Sequence, residues 1–152
     1  MKRQGIFGEE KGKMGTNIRP DISLKNKYWI DRHRYYELKH FCMQYTFWKK
    51  AYTALCEPLF PYTNMDKLPG NKCPSDITSK QAVAKAYYDC RIKMVEQAAK
   101  EADEDLKDYI LKAVTEGLSY THLKSKLDIP CGKDMYYDRY RKFFWILSEL
   151  RE

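Results

Sequence analysis

The sequence has no apolar run approaching a membrane span, which takes about 20 residues. It has no Cys-x-x-Cys and no His-x-x-x-His, the spacings that gather ligands for a structural zinc. Its five cysteines, Cys42, Cys56, Cys73, Cys90 and Cys131, stand singly. An odd set without paired spacing reads as reduced thiols in a cytoplasmic protein, not as a disulfide framework. Gly5, Gly8, Gly12 and Gly15 do not lie between a strand and a helix, so they are no phosphate loop. The acids Asp103, Glu104 and Asp105 are adjacent, and adjacent residues of a helix point in different directions. His122 is close to Ser119 and Ser125, but as the polar face of a short helix. There is no internal repeat and no convincing strand alternation. The opening Met1-Lys-Arg-Gln-Gly has no apolar segment of a secretory signal. These absences predict a protein that is not an enzyme, with no cofactor, no metal and no membrane association.

What the chain does have is aromatic side chains and positive charge. Its 152 residues include 13 Tyr, and hydrophobic residues make up 43%. Tyr carries a large apolar body with a polar tip, which suits a small core close to water and equally suits interfaces. The formal charge is +7, with a sequence pI near 9.1, which favours an anionic partner. The excess sits in residues 1–50, where twelve Lys or Arg face five acids. In residues 103–152 nine cations face ten acids.

Residues 1–25 lack periodicity and read as a flexible basic tail, either simply solvating or an arm that tracks phosphates. Residues 26–56 read as an N-terminal helical hairpin. Asp31 can cap its first helix, and Tyr35, Leu38, Phe41, Cys42 and Tyr45 form the inner stripe. Trp48, Ala51, Tyr52 and Leu55 continue after a kink near Thr46. Residues 57–77 read as a Pro-rich loop, because Pro58, Pro61, Pro69, Gly70 and Pro74 exclude a continuous helix.

Residues 78–152 read as a long helix followed by a C-terminal helix-turn-helix domain. Thr78 and Gln81 have capping-box spacing. The long helix is expected to bury Val83, Ala86, Tyr87, Cys90, Met94 and Ala98. Asp103, Glu104 and Asp105 mark a bend into a helix with Leu106, Ile110, Ala113 and Val114 inward. Gly117 stops that helix, Ser119 caps a short one with Tyr120, Leu123 and Leu127 inward, and Pro130 breaks it. A third helix runs from about Lys133, with Tyr136, Tyr140, Phe143, Leu147 and Leu150 inward. Short helix, tight turn and longer helix is the layout of a DNA-binding helix-turn-helix, and also of an ordinary antiparallel helix pair.

The segment Gly117-Leu-Ser-Tyr-Thr-His-Leu resembles the opening of the sigma-factor region-four helix-turn-helix. Ile129-Pro-Cys-Gly-Lys-Asp-Met-Tyr-Tyr-Asp-Arg-Tyr-Arg-Lys-Phe-Phe-Trp resembles the recognition-helix segment of phage late-operon transcriptional regulators of the RinA/ArpU type. The resemblance covers about the last third of the chain. It departs from the pattern at Lys124, where a small Ala is usual, and at Asp128, where the turn Gly is usual. It implies an all-α protein, a helical bundle with a C-terminal helix-turn-helix, that binds duplex DNA and regulates transcription in the cytoplasm of a bacterial host cell.

In that reading the third helix presents Lys133, Asp134, Tyr137, Asp138 and Arg141, with Arg139 and Lys142 at its edges. Arg141 or Lys133 pairs with guanine edges or phosphates, and Asp134 or Asp138 accepts from cytosine N4. Ser119 and Tyr120 position phosphate at the N-terminus of the short helix. The alternative is a small helical interaction module that binds a host protein, such as RNA polymerase or a defence nuclease. The near-zero charge of the last third favours it.

Overall fold

A computed structural model describes residues 26–57 and 74–152. The basic tail and most of the Pro-rich loop lie outside the described residues. Within them the chain forms six helices and no strand. They are α1 (Arg32–Met43), α2 (Tyr45–Cys56), α3 (Pro74–Ala102), α4 (Lys107–Glu116), α5 (Tyr120–Leu127) and α6 (Lys133–Leu150).

Local chemistry sets most of the helix ends. The Asp31 carboxylate accepts from the backbone N–H of His33 (2.8 Å) and Arg34 (3.4 Å), so it fills donors that the first turn of α1 leaves open. Asp103 does two jobs between α3 and α4. Its Oδ1 accepts from the N–H of Asp105 and Leu106, and its Oδ2 accepts from Arg139 Nε at 3.0 Å. α4 ends at Gly117 with φ 69° and ψ 31°. A Cβ there would meet Met43 Cε at 3.5 Å, an ordinary contact. The positive φ, not space, is therefore what demands glycine.

Three expectations change. First, Gln44 alone joins α1 to α2, and its backbone is itself helical (φ −81°, ψ −7°). One such residue bends the chain without reversing it, so residues 26–56 are not a hairpin. α2 lies along α3, while α1 packs on α4 and α6. Second, α3 starts at Pro74, inside the expected loop. Proline suits a first helical position, where its missing N–H would have had no partner. Thr78 therefore lies within the helix and not at its cap.

Third, α3 buries a different side from the one its apolar spacing suggested. Val83, Ala86, Tyr87 and Cys90 are exposed. The covered side is Tyr88, Ile92, Val95, Ala99 and Ala102, with Ala98 and part of Met94 joining further along. Both sets have helical period, and the positions of α2 and α6 decide between them.

α6 is the centre of the core. Tyr136, Tyr140, Phe143, Phe144, Ile146 and Leu147 are all buried, against α1, α3 and α4. Each such side chain contributes roughly 1.5–3 kcal/mol when fully buried. The Tyr136 hydroxyl is buried without a hydrogen-bond partner among the described residues, and burial raises its pKa well above the ordinary phenol value. α1 also secures the far end of α6. Arg34 donates to Ser148 Oγ, Ser148 O and Arg151 O, at 3.2, 3.2 and 3.4 Å. These carbonyls lie where a helix C-terminus lacks i+4 donors, and Ser148 O also accepts from the Arg151 N–H at 3.4 Å. Arg34 and Arg151 both bond Glu37 and hold its carboxyl below the usual range.

Candidate nucleic-acid interface

α5 and the start of α6 are joined by residues 128–132. Asp128 takes the left-handed conformation (φ 48°, ψ 51°), a geometry glycine usually supplies. It is tied from the preceding turn: Lys124 Nζ reaches Asp128 Oδ1 at 3.4 Å and Ile129 O at 3.1 Å. Leu123 and Ile129 are fully buried and pin both sides of the corner. The two departures from the resemblance, Lys124 and Asp128, thus form one bonded pair at the turn.

The nine residues read as DNA contacts divide into two sets. Four are occupied inside the protein. Ser119 caps α5, its Oγ accepting from His122 N–H at 3.3 Å. Tyr120 donates its hydroxyl to Cys131 O at 2.8 Å, and its ring lies 5.4 Å from Tyr136 and 6.2 Å from Tyr137. It therefore braces the turn and does not extend toward solvent. Arg139 bonds Asp103 at 3.0 Å and Asp138 at 3.2 Å. Lys142 donates to Ala102 O at 3.1 Å, closing the end of α3. These bonds engage Arg139 and Lys142, expected at the edges of a reading face, within the protein. Both cations are turned onto the α3–α4 corner, where an acid and an open carbonyl await them.

The other five make fewer internal bonds, although Tyr137 is half-buried against the core with its ring 5.1 Å from Tyr136. Lys133, Tyr137 and Arg141 are spaced four apart on α6, so they form one row along the helix. Lys133 Nζ stands 5.9 Å from the Tyr137 ring centroid. Neither cation has an acid within salt-bridge distance among the described residues. The Arg141 Nε is buried without an acceptor, though the residue is half-exposed. Asp134 is exposed in the first turn of α6, and Asp138 accepts from Arg139. Gly132 offers no side-chain cap, so the first N–H groups of α6 have no side-chain acceptor.

Sequence reasoning passes over Met135, which is 47% exposed beside Lys133 and Asp134. It also passes over Thr121, Ser125 and Lys126, all exposed on α5. A polar face on a short helix has no signal that separates a contact from filler. Among the described residues no group of three or more His, Cys, Asp or Glu is placed to hold a metal, and no helix is long and apolar enough to cross a membrane. No protein-family model, curated protein or solved structure matches the chain.

Proposed function

We propose that the chain is a sequence-specific DNA-binding transcriptional regulator, with α5, the 128–132 turn and α6 acting as a helix-turn-helix. The observation that carries this reading is the row Lys133–Tyr137–Arg141. It holds two α6 cations with no acid partner among the described residues, in the N-terminal half of the helix. Over eight residues the row spans about 12 Å of helix axis. The C-terminal half of α6 is largely enclosed, so its first half, Lys133 to Arg141, is the part that would approach the major groove, which is how helix-turn-helix proteins read bases.

Arg141 pairs with a guanine edge or a phosphate, Lys133 with a phosphate beside the helix N-terminus, and Asp134 accepts from cytosine N4. Met135 offers an apolar contact to a thymine methyl. The resemblance to phage late-operon regulators adds the setting: transcription in a bacterial host, with RNA polymerase as a second partner.

A second reading is an interaction module that binds a host protein. Its support is that the last fifty residues carry no net positive charge and that Arg139 and Lys142 are spent on internal bonds. Selection of bound fragments from random duplex DNA separates the two. A recurring sequence among the selected fragments supports the regulator. Enrichment of no sequence over random duplex at moderate salt overturns it and leaves the interaction module.

A further inference from the structure

Three of the large hydrophobic side chains most exposed among the described residues, Phe47, Val83 and Tyr87, are 61, 68 and 50% exposed and lie on α2 and α3. Val83 and Tyr87 are four apart on α3, so they share a face. Tyr88 links them to α2, its ring 6.2 Å from Phe47 and 5.3 Å from Tyr87. The result is one apolar strip across two helices. Single exposed hydrophobic residues need no explanation, but a contiguous patch marks a contact surface.

The charges left without a salt-bridge partner beside the strip are cationic, among the described residues. Arg91 stacks on the Tyr87 ring with its Cζ 3.5 Å from the centroid. Lys50 is exposed one helical turn beyond Phe47. Neither has an acid partner among the described residues. The near acids are engaged elsewhere, Asp89 with Lys93 at 2.6 Å and Glu96 with Lys49 at 2.9 Å.

We propose that this strip docks a helix of a partner protein that is apolar on one face and acidic along its flanks. Charge chooses the occupant. A second copy of this chain would bring Arg91 and Lys50 against surfaces of their own sign. An acidic helix would meet both cations while Phe47, Tyr87 and Val83 fill its apolar face, the helix-in-groove mode of recognition. Tyr and Arg are also the residues that most often dominate binding energy at such contacts. The proposal does not rest on the DNA reading, since the strip shares no residue with the Lys133–Tyr137–Arg141 row.

The test uses the full chain and two synthetic helical peptides of about 16 residues with the same Leu and Phe face. One carries Glu and the other Lys at the polar positions, and the Val83 methyl resonances report binding. The acidic peptide is expected to shift Val83 and to bind at least about tenfold tighter than the basic one. Phe47→Ser with Tyr87→Ala is expected to weaken it by about tenfold or more, with the melting temperature unchanged. Arg91→Glu is expected to reduce or invert the preference between the peptides.

Equal binding of both peptides, or no shift at Val83 with either, overturns the proposal. So does a sedimenting dimer that Phe47→Ser dissolves, which makes the occupant a second copy. Competition by phosphatidylserine vesicles would overturn it in favour of a membrane surface. Failure of a soluble paramagnetic probe to broaden Val83 would overturn it by showing that the chain covers the strip itself.

Discussion

The α2–α3 pair and α6 treat their large side chains in opposite ways. α6 is surrounded by α1, α3 and α4 and hides its bulk, from Tyr136 to Leu147. The described side chains of the first half of α3 include none that is buried, and Val83 and Tyr87 stand in solvent. The same contrast holds for polar bonds. α6 sends Arg139 and Lys142 inward to Asp103 and Ala102, whereas α2 and α3 are clasped from the side by Tyr45, Lys49 and Glu96. The difference teaches that aromatic content alone does not locate the core. How many neighbours enclose a helix decides whether its rings stabilise the fold or remain available to a partner.

The sharpest way to break that comparison is to truncate one ring from each helix. Phe143→Ala is expected to cost roughly 3–5 kcal/mol, because the site is fully enclosed and a cavity remains. Tyr87→Ala is expected to change stability by about 0.5 kcal/mol or less. Chemical denaturation of both variants checks the pair. Similar losses would mean that Tyr87 is covered in the folded chain.

The inward bonds of α6 come next. Arg139→Ala is expected to destabilise by about 1–2 kcal/mol, since it leaves the mostly buried Asp103 carboxylate without its cation. A change within error on denaturation would return Arg139 to the surface.

The smallest effect belongs to the α2–α3 clasp and depends on pH. Burial alone would raise the Glu96 carboxyl, but the hydrogen bonds from Tyr45 and Lys49 outweigh it and hold its pKa below the ordinary carboxylate value. A depressed folded pKa contributes stability that is present above the unfolded pKa and is lost as pH falls through the folded one. The wild type is therefore expected to lose more stability between neutral pH and about pH 3 than Glu96→Gln does. Parallel pH profiles for the two proteins would remove the clasp from the account.

Where the sequence speaks clearly, it does so through local chemistry or through a helix with one apolar side. Asp31, Gly117 and Ser119 act where their residue types act in isolation. The stripes Tyr35–Leu38–Phe41 and Tyr136–Tyr140–Phe143 are legible from helical spacing, whereas Phe144 and Ile146 are buried outside the expected α6 stripe. On α3 two stripes compete. Val83, Tyr87 and Cys90 look as apolar as Tyr88, Ile92 and Val95, and the second set is extended by alanines, which give no strong preference. The inward turn of Arg139 and Lys142 is hidden for another reason. Their acceptors lie 36 and 40 residues earlier in the chain, and a long cationic stem reaches inward or outward equally well. At the candidate interface, spacing alone places Lys133, Tyr137 and Arg141 on the outer side of α6 but does not separate them from Arg139 and Lys142. That separation needs the α3–α4 corner, which only the fold brings alongside.

The most direct measurement compares four single alanine variants on the duplex recovered by selection and on random duplex: Lys133→Ala, Arg141→Ala, Arg139→Ala and Lys142→Ala. Arg141→Ala is expected to cost about 1–3 kcal/mol on the selected duplex and much less on random DNA. Lys133→Ala is expected to weaken both and to lower the salt slope by about 0.9, the increment of one neutralised phosphate. Arg139→Ala and Lys142→Ala, measured where they remain folded, are expected to bind both duplexes as the wild type does. If instead Arg139→Ala and Lys142→Ala abolish binding while Arg141→Ala and Lys133→Ala leave it intact, the division of α6 into inward and outward cations is wrong.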